Sequence, residues 1–186
     1  MQETIRYAVF RTKWGYFGLA GTEKGLLRTH LPLPEPQNVK YGLLRNLSLV
    51  NGESSIEHRV SSIEFDKNLF NTLAKQIIAY FEGTYVNFDR NIPIVLDGLS
   101  RFAGRVLTAC RKISFGQTTS YGQLAKKAGS PAGARGVGRV MANNPLPLII
   151  PCHRVIRSDG RIGGFSAQGG TKLKNRLLQF EQKVLA

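Results

Sequence analysis

The spacing of apolar residues changes several times along this chain, and each change predicts an element. Residues 5–11 alternate and are rich in β-formers, and residues 14–20 and 25–31 repeat the habit, with Gly15, Gly21 and Gly25 at the breaks. That pattern predicts a small antiparallel meander. Residues 31–62 carry Pro32, Pro34 and Pro36 and then lose any clear period, so they read as a long loop with one ambiguous segment near 41–50. Over 65–82 the period lengthens: Leu69, Leu73, Ile77 and Phe81 share a helical face, and Gly83 suits the C-terminal cap. Residues 85–96 have strand character but include Pro93, which points to an edge strand or a linker.

The second half is helical by pattern. Ser100 can cap a helix running to about residue 113, with Phe102, Val106, Cys110 and Ile113 on one stripe, which makes Cys110 a packing residue. Gly116 marks a turn. Thr119 or Ser120 then caps a helix over 121–128, Gly129-Ser130-Pro131 breaks it, and a second helix follows over 132–142. Two short helices across a tight turn suggest a helix-turn-helix. The second contains Ala132, Gly133, Ala134, Gly136, Gly138 and Ala142, weak helix formers, while Arg135 and Arg139 project from one face. Such a slim helix suits close packing on another helix or close approach to a DNA backbone, and the pattern leaves both open. Residues 146–151 form an extended apolar connection to Cys152. Gly160, Gly163 and Gly164 mark a flexible loop carrying Phe165 and Ser166, and residues 171–185 read as an amphipathic helix with Glu181 near its end.

Composition narrows the class. A chain of 186 residues, 42% hydrophobic and 20% charged, can bury a substantial core. No apolar run approaches a membrane span, and residues 1–10 lack a signal-peptide pattern. Two cysteines are too few for a disulfide scaffold or a Cys-rich zinc site, which places the chain inside the cell. The net charge of +14 is unevenly spread: residues 99–186 hold 15 Lys/Arg against 2 Asp/Glu, a net of +13, and residues 1–98 a net of only +1. A field of that size concentrates polyanions, so nucleic acid is the expected partner.

Pro151-Cys152-His153-Arg154-Val155 lies in this basic half and holds the candidate chemistry. A thiol reacts as its thiolate, and an imidazole beside it, with Arg154 next in line, can raise the thiolate fraction. Glu181, one of two acids in this half, could orient the histidine in a Cys-His-acid arrangement.

Together with Asn144-Pro145, that stretch resembles the active-site signature of the O6-alkylguanine-DNA alkyltransferases. The likeness runs from about Phe102 through Ser120-Tyr121-Gly122-Gln123-Leu124-Ala125, Ala134-Arg135-Gly136-Val137-Gly138 and Gly164-Phe165-Ser166 to Glu181. The first half resembles the family more loosely, in length, the Trp14-Gly15 turn and the order of elements. The resemblance implies a ribonuclease H-like α/β scaffold over 1–98, followed by a mostly α, winged-helix-like domain over 99–186 that binds DNA and carries the reaction.

The family repairs DNA by moving an alkyl group from guanine oxygen to its own cysteine. It thus implies Cys152 as nucleophile and alkyl acceptor, His153 taking the thiol proton through a bound water, and Glu181 orienting His153. Tyr121 would contact the rotated phosphate and the base edge and donate a proton to the leaving guanine. Asn144 would be a hinge between the basic helix and the cysteine loop. Arg135 would fill the vacated base stack, with Ala134, Gly138 and Arg139 also on the DNA, entered through the minor groove. Met141 would stack on the base, carbonyls of Cys152 and Val155 would meet its amino group, and Phe165 and Ser166 would complete the pocket. No cofactor and no metal are expected. The expected partner is double-stranded DNA containing alkylated guanine, acted on by a monomer in the cytoplasm, or in the nucleus of a eukaryote. A non-enzymatic sensor of alkylated guanine is the alternative, and the presence of Cys152 argues against it. A thiol hydrolase would have no use for the basic half.

Overall fold

The computed structural model describes residues 3–45, 47, 60–88 and 91–186. The chain divides into two compact units, Met1–Glu82 with Phe88–Gly98, and Gly83–Asn87 with Leu99–Ala186.

In the first unit β1 (Glu3–Thr12), β2 (Gly15–Thr22) and β3 (Gly25–Leu33) form the expected meander, with Phe10 opposite Phe17 and Leu19 opposite Thr29. A fourth strand, β4 (Val60–Phe65), joins β1 in parallel, so the sheet is mixed, in the order β3-β2-β1-β4. This strand and helix α1 (Pro36–Leu44) correct the reading of 31–62 as an unpatterned loop. Pro36 starts α1 because its fixed φ suits the first turn, where an N–H has no partner to lose. Val39 and Leu43, one turn apart, are fully buried over Gly18, where a Cβ would come within 2.7 Å of Val39. Two buried positions in so short a helix give too little period to recognise. Of the ambiguous segment near 41–50, residues 46 and 48–50 lie outside the described residues.

Helix α2 (Asn71–Glu82) carries the expected apolar face but starts later than residue 65. Asp66 Oδ1 accepts the Asn68 N–H at 2.9 Å in a turn that separates it from β4. Phe81 anchors an aromatic cluster with Trp14 at 5.3 Å and Tyr80 at 5.1 Å between ring centroids. Among the described residues of 85–96 there is no edge strand, only a bridge between Leu26 and Ile94.

The second unit contains α3 (Arg101–Arg111), α4 (Tyr121–Lys127), α5 (Ala134–Ala142) and α6 (Gly170–Leu185). Ser100 Oγ accepts the Ala103 N–H at 3.2 Å and caps α3. Ser120 caps α4 reciprocally: its Oγ accepts the Gln123 N–H at 3.1 Å, and Gln123 Oε1 accepts the Ser120 N–H at 2.9 Å. Val106, Leu107 and Cys110 form the buried stripe of α3, so Cys110 packs as expected. One further contact matters for the site. The short strand β5 (Thr119–Ser120) pairs in parallel with β6 (Val155–Ile156), Thr119 opposite Val155, which sets the start of α4 beside the chain just after Cys152.

Candidate active site

Cys152 opens a single 3-10 turn, Cys152–Arg154, at the end of the loop leaving α5. That loop is folded on itself, correcting the expectation of an extended connection. The Ile150 N–H donates to the Leu146 carbonyl at 2.8 Å, and Pro147 bridges to Ile150. Leu148 is buried at φ +77°, a conformation that costs a non-glycine residue about 1–2 kcal/mol. Asn144 holds the loop in this form: its Nδ2 donates to the Ile150 carbonyl at 2.8 Å, and its Oδ1 accepts the Leu146 N–H at 3.0 Å. The residue expected as a hinge is a brace across the loop.

The candidate reactive groups are buried. Cys152 is 5% exposed, His153 1% and Glu181 0%. Burial pushes the Cys152 thiol up, opposed by the Asn144 side chain, the Lys174 ammonium and nearby backbone N–H groups. His153 Nε2 lies 2.8 Å from Glu181 Oε1. Burial pushes the imidazole below its ordinary value despite the carboxylate, so the ring is neutral at neutral pH. An ionised carboxylate only accepts hydrogen bonds, so Nε2 carries the ring proton and Nδ1 carries the lone pair.

Arg154 does not serve the thiol, as its place in the sequence suggested. Its Nη2 donates to Glu181 Oε1 at 2.8 Å, its Nε to Oε2 at 3.0 Å, and its Nη1 to the Ile113 carbonyl at 2.7 Å. The Gly116 N–H also donates to Glu181 Oε2, at 2.9 Å, tying the turn before α4 to α6.

Lys174 was not singled out from the sequence. It is 1% exposed, and its Nζ donates to the Val155 carbonyl at 2.6 Å, the Gly164 carbonyl at 3.3 Å and the Tyr121 hydroxyl at 3.4 Å. One ammonium therefore joins the start of α4, the strand after the cysteine turn and the glycine loop. It also occupies the Val155 carbonyl assigned to a guanine amino group. The signal was in α6: Lys174, Leu177 and Glu181 fall on its buried stripe, two charges at core positions.

Tyr121, raised by burial and then by Cys152, is half-buried against the glycine loop. Gly163 has φ +75°, and a Cβ there would lie 3.1 Å from the Tyr121 hydroxyl. Gly163→Ala is therefore expected to destabilise the second unit by roughly 1–2 kcal/mol and to displace the loop from Tyr121. Thermal unfolding checks the first effect, and an unchanged midpoint would contradict it. Phe165 is half-buried and Ser166 exposed on the same loop.

On α5 the small residues divide between two uses. A Cβ on Gly136 would come within 3.1 Å of the Phe102 ring on α3, whereas one on Gly138 would meet nothing. Val137 and Met141 are buried, Ala134 is half-buried, and Arg135 and Arg139 are exposed. Helix packing thus takes one side and leaves a slim basic side outward. Met141, at 6% exposure, is part of the packed side. Among the described residues, no three His, Cys, Asp or Glu side chains gather as a metal site requires, and no helix is long and apolar enough to cross a membrane.

Comparison with known proteins finds matches over most of the chain. Residues 5–95 match the family described as 6-O-methylguanine DNA methyltransferase, ribonuclease-like domain, and residues 101–183 its DNA binding domain. A methylated-DNA–protein-cysteine methyltransferase of Methanosarcina acetivorans is 33% identical over 94% of this chain and 97% of its own. One from Methanosarcina barkeri is also 33% identical, over 96% of this chain and 98% of its own. Among solved structures, Mycobacterium tuberculosis OGT in complex with DNA superposes with a TM-score of 0.72 at 29% identity, covering 96% of this chain and 94% of that one. With both domains matched in order and relatives aligned nearly end to end, this chain belongs to the methylated-DNA–protein-cysteine methyltransferase family.

Proposed function

We propose that this chain reverses alkylation damage directly, moving an alkyl group from the O6 atom of guanine in duplex DNA to Cys152. The observation that carries the reading is a buried thiol next in the chain to a buried imidazole whose Nε2 lies 2.8 Å from Glu181. His153 Nδ1 takes the thiol proton through a water. The thiolate attacks the alkyl carbon, the S–C bond forms and the C–O6 bond breaks. Tyr121 donates a proton to the departing guanine and is reprotonated from the imidazolium through solvent. The thiol's hydrogen ends on guanine and the alkyl group on sulfur, with no change of oxidation state and no cofactor. A thioether resists hydrolysis, so each molecule acts once.

O6 is inside the duplex, and reaching it from a braced loop requires the nucleotide to leave the stack, at a cost of a few kcal/mol. Arg135 and Arg139, on the slim outward side of α5, suit entry from the minor groove, with Arg135 filling the gap. Ala134 and Gly138 let the backbones approach. Phe165, Ser166 and Met141 wall the base pocket. The protein acts as a monomer in the compartment that holds the DNA.

The deciding experiment records the intact mass of the protein after incubation with duplex DNA containing O6-methylguanine. The expected result is a gain of one methylene unit, mapped to Cys152. DNA retained without any gain of mass would sink this reading in favour of a sensor that only binds. A second prediction isolates the base-extrusion role. Arg135→Ala should slow repair of duplex about 10- to 100-fold, the rate equivalent of losing about 1–3 kcal/mol, yet leave reaction with free O6-alkylguanine unchanged. Equal losses on both substrates would refute it.

A further inference from the structure

We infer that Arg154 is a positioning residue that helps keep the buried His153 a neutral base, by holding the Glu181 carboxylate so that it steers the imidazole and acts less as its counter-ion. The inference rests on the reading of His153 as the base for Cys152 and adds a residue to it. Both oxygens of the Glu181 carboxylate accept hydrogen bonds, and Arg154 Nε reaches both, lying 3.2 Å from Oε1 as well. Oε1 accepts from His153 Nε2 and Arg154 Nη2, both at 2.8 Å. Oε2 accepts from Arg154 Nε at 3.0 Å and from the Gly116 N–H at 2.9 Å. One guanidinium thus engages both oxygens in the forked geometry that matches a carboxylate. It is fixed from behind by the Ile113 carbonyl and lies over the Phe115 ring, 5.6 Å from its centroid.

The consequence for the imidazole is electrostatic. A buried carboxylate facing an imidazole alone would favour the imidazolium, which has no lone pair left for a thiol proton. Here one arginine matches the carboxylate charge, so the ring faces a pair without net charge. Lys174 on α6 also acts on His153, a second cation that disfavours ring protonation. The hydrogen bond to Glu181 orients the ring, while Arg154 and Lys174 oppose the carboxylate's pull on its proton and add to the larger effect of burial.

The test is a ring-nitrogen NMR titration of the whole protein without DNA, with the His153 signal assigned by its loss in His153→Gln. In Arg154→Gln the His153 pKa is expected to rise by roughly one to three units. The acid limb of the pH–rate profile for methyl transfer should move upward with it. Arg154→Lys keeps the charge and should leave both near the parent values, even if its poorer fork lowers the rate. In the double variant Arg154→Gln, Glu181→Gln the rise should vanish, because the uncompensated charge is gone. An unmoved His153 in Arg154→Gln, or a rise that persists in the double variant, overturns the inference. Should Arg154→Gln fail to fold, Arg154→Lys decides, since a rise of one unit or more there shows that charge is not what matters. These titrations need no alkyl transfer. A protein with the expected shifts but no methyl uptake would refute the repair reading and leave the charge coupling standing.

Discussion

Cys152→Ala should take up no methyl group from O6-methylguanine DNA and should still bind that DNA. The argument is local. The cysteine turn is held by backbone bonds, Cys152 N–H to the Ile150 carbonyl at 2.8 Å and Arg154 N–H to the Pro151 carbonyl at 2.9 Å, and neither uses the sulfur. Removing one buried sulfur atom costs about 1 kcal/mol, well within the stability of a domain. The exposed arginines of α5 are untouched, so affinity for duplex should stay near that of the parent. Intact mass reads the transfer and a mobility shift reads the binding. Methyl appearing on Cys110 in this variant would overturn the assignment. That thiol is fully buried on α3, and burial pushes its pKa well up, which leaves it no route to the reaction.

The second large effect is at Glu181. Glu181→Ala strips the partner from a buried guanidinium and the acceptor from the Gly116 N–H, so it should destabilise the second unit by about 3–5 kcal/mol. In whatever fraction remains folded, His153 loses its orienting bond, and transfer should fall roughly 10²- to 10⁴-fold. Acid sensitivity follows from the same group. Burial pushes the Glu181 carboxyl up, but hydrogen bonds from His153 and Arg154, with the Arg154 charge, outweigh it and hold the group well below the usual carboxylate range. Its stabilisation is complete above the unfolded value, about 4.3, and is lost as pH falls below that toward the depressed folded value. His153 adds an earlier stage, because below about pH 6.5 the unfolded ring takes up a proton that the buried ring resists. The parent's melting temperature should therefore decline in two stages on acidification, and Glu181→Gln should lack the lower one. Parallel curves for the two proteins below about pH 4.3 would show that Glu181 is not the group responsible.

Elements with their own local signals were legible in the sequence. Helices α3 and α4 follow from Ser100 and Ser120 as caps, and β1 to β3 from alternation between glycine turns. Helix α1 and strand β4 were not, because their stability comes from contacts with distant residues. Val39 needs the gap above Gly18, and β4 needs the parallel edge of β1. At the site, the Cys152-His153 pair and Glu181 could be named from adjacency, scarcity of acids and resemblance. The direction of Arg154 could not, since a residue beside a thiol in sequence can point away from it in a 3-10 turn. In the sequence Lys174 stands between Lys172 and Arg176 in a basic stretch, and nothing local sets it apart. Only the converging carbonyls of Val155 and Gly164 show that it is inside. Buried cations of this kind are recognised by their acceptors, and those lie elsewhere in the chain.

The Asn144 brace has a mechanical consequence. Because the loop from α5 to Cys152 is closed by the Asn144 bonds to Ile150 and Leu146, helix and sulfur move as one lever with no slack between them. How deeply the helix seats on its target then sets where the sulfur stands, to within the tolerance of two hydrogen bonds. Inspection of the duplex and presentation of the nucleophile become one displacement. An inserted residue between 145 and 149 would separate them, giving a protein that still grips but no longer aims.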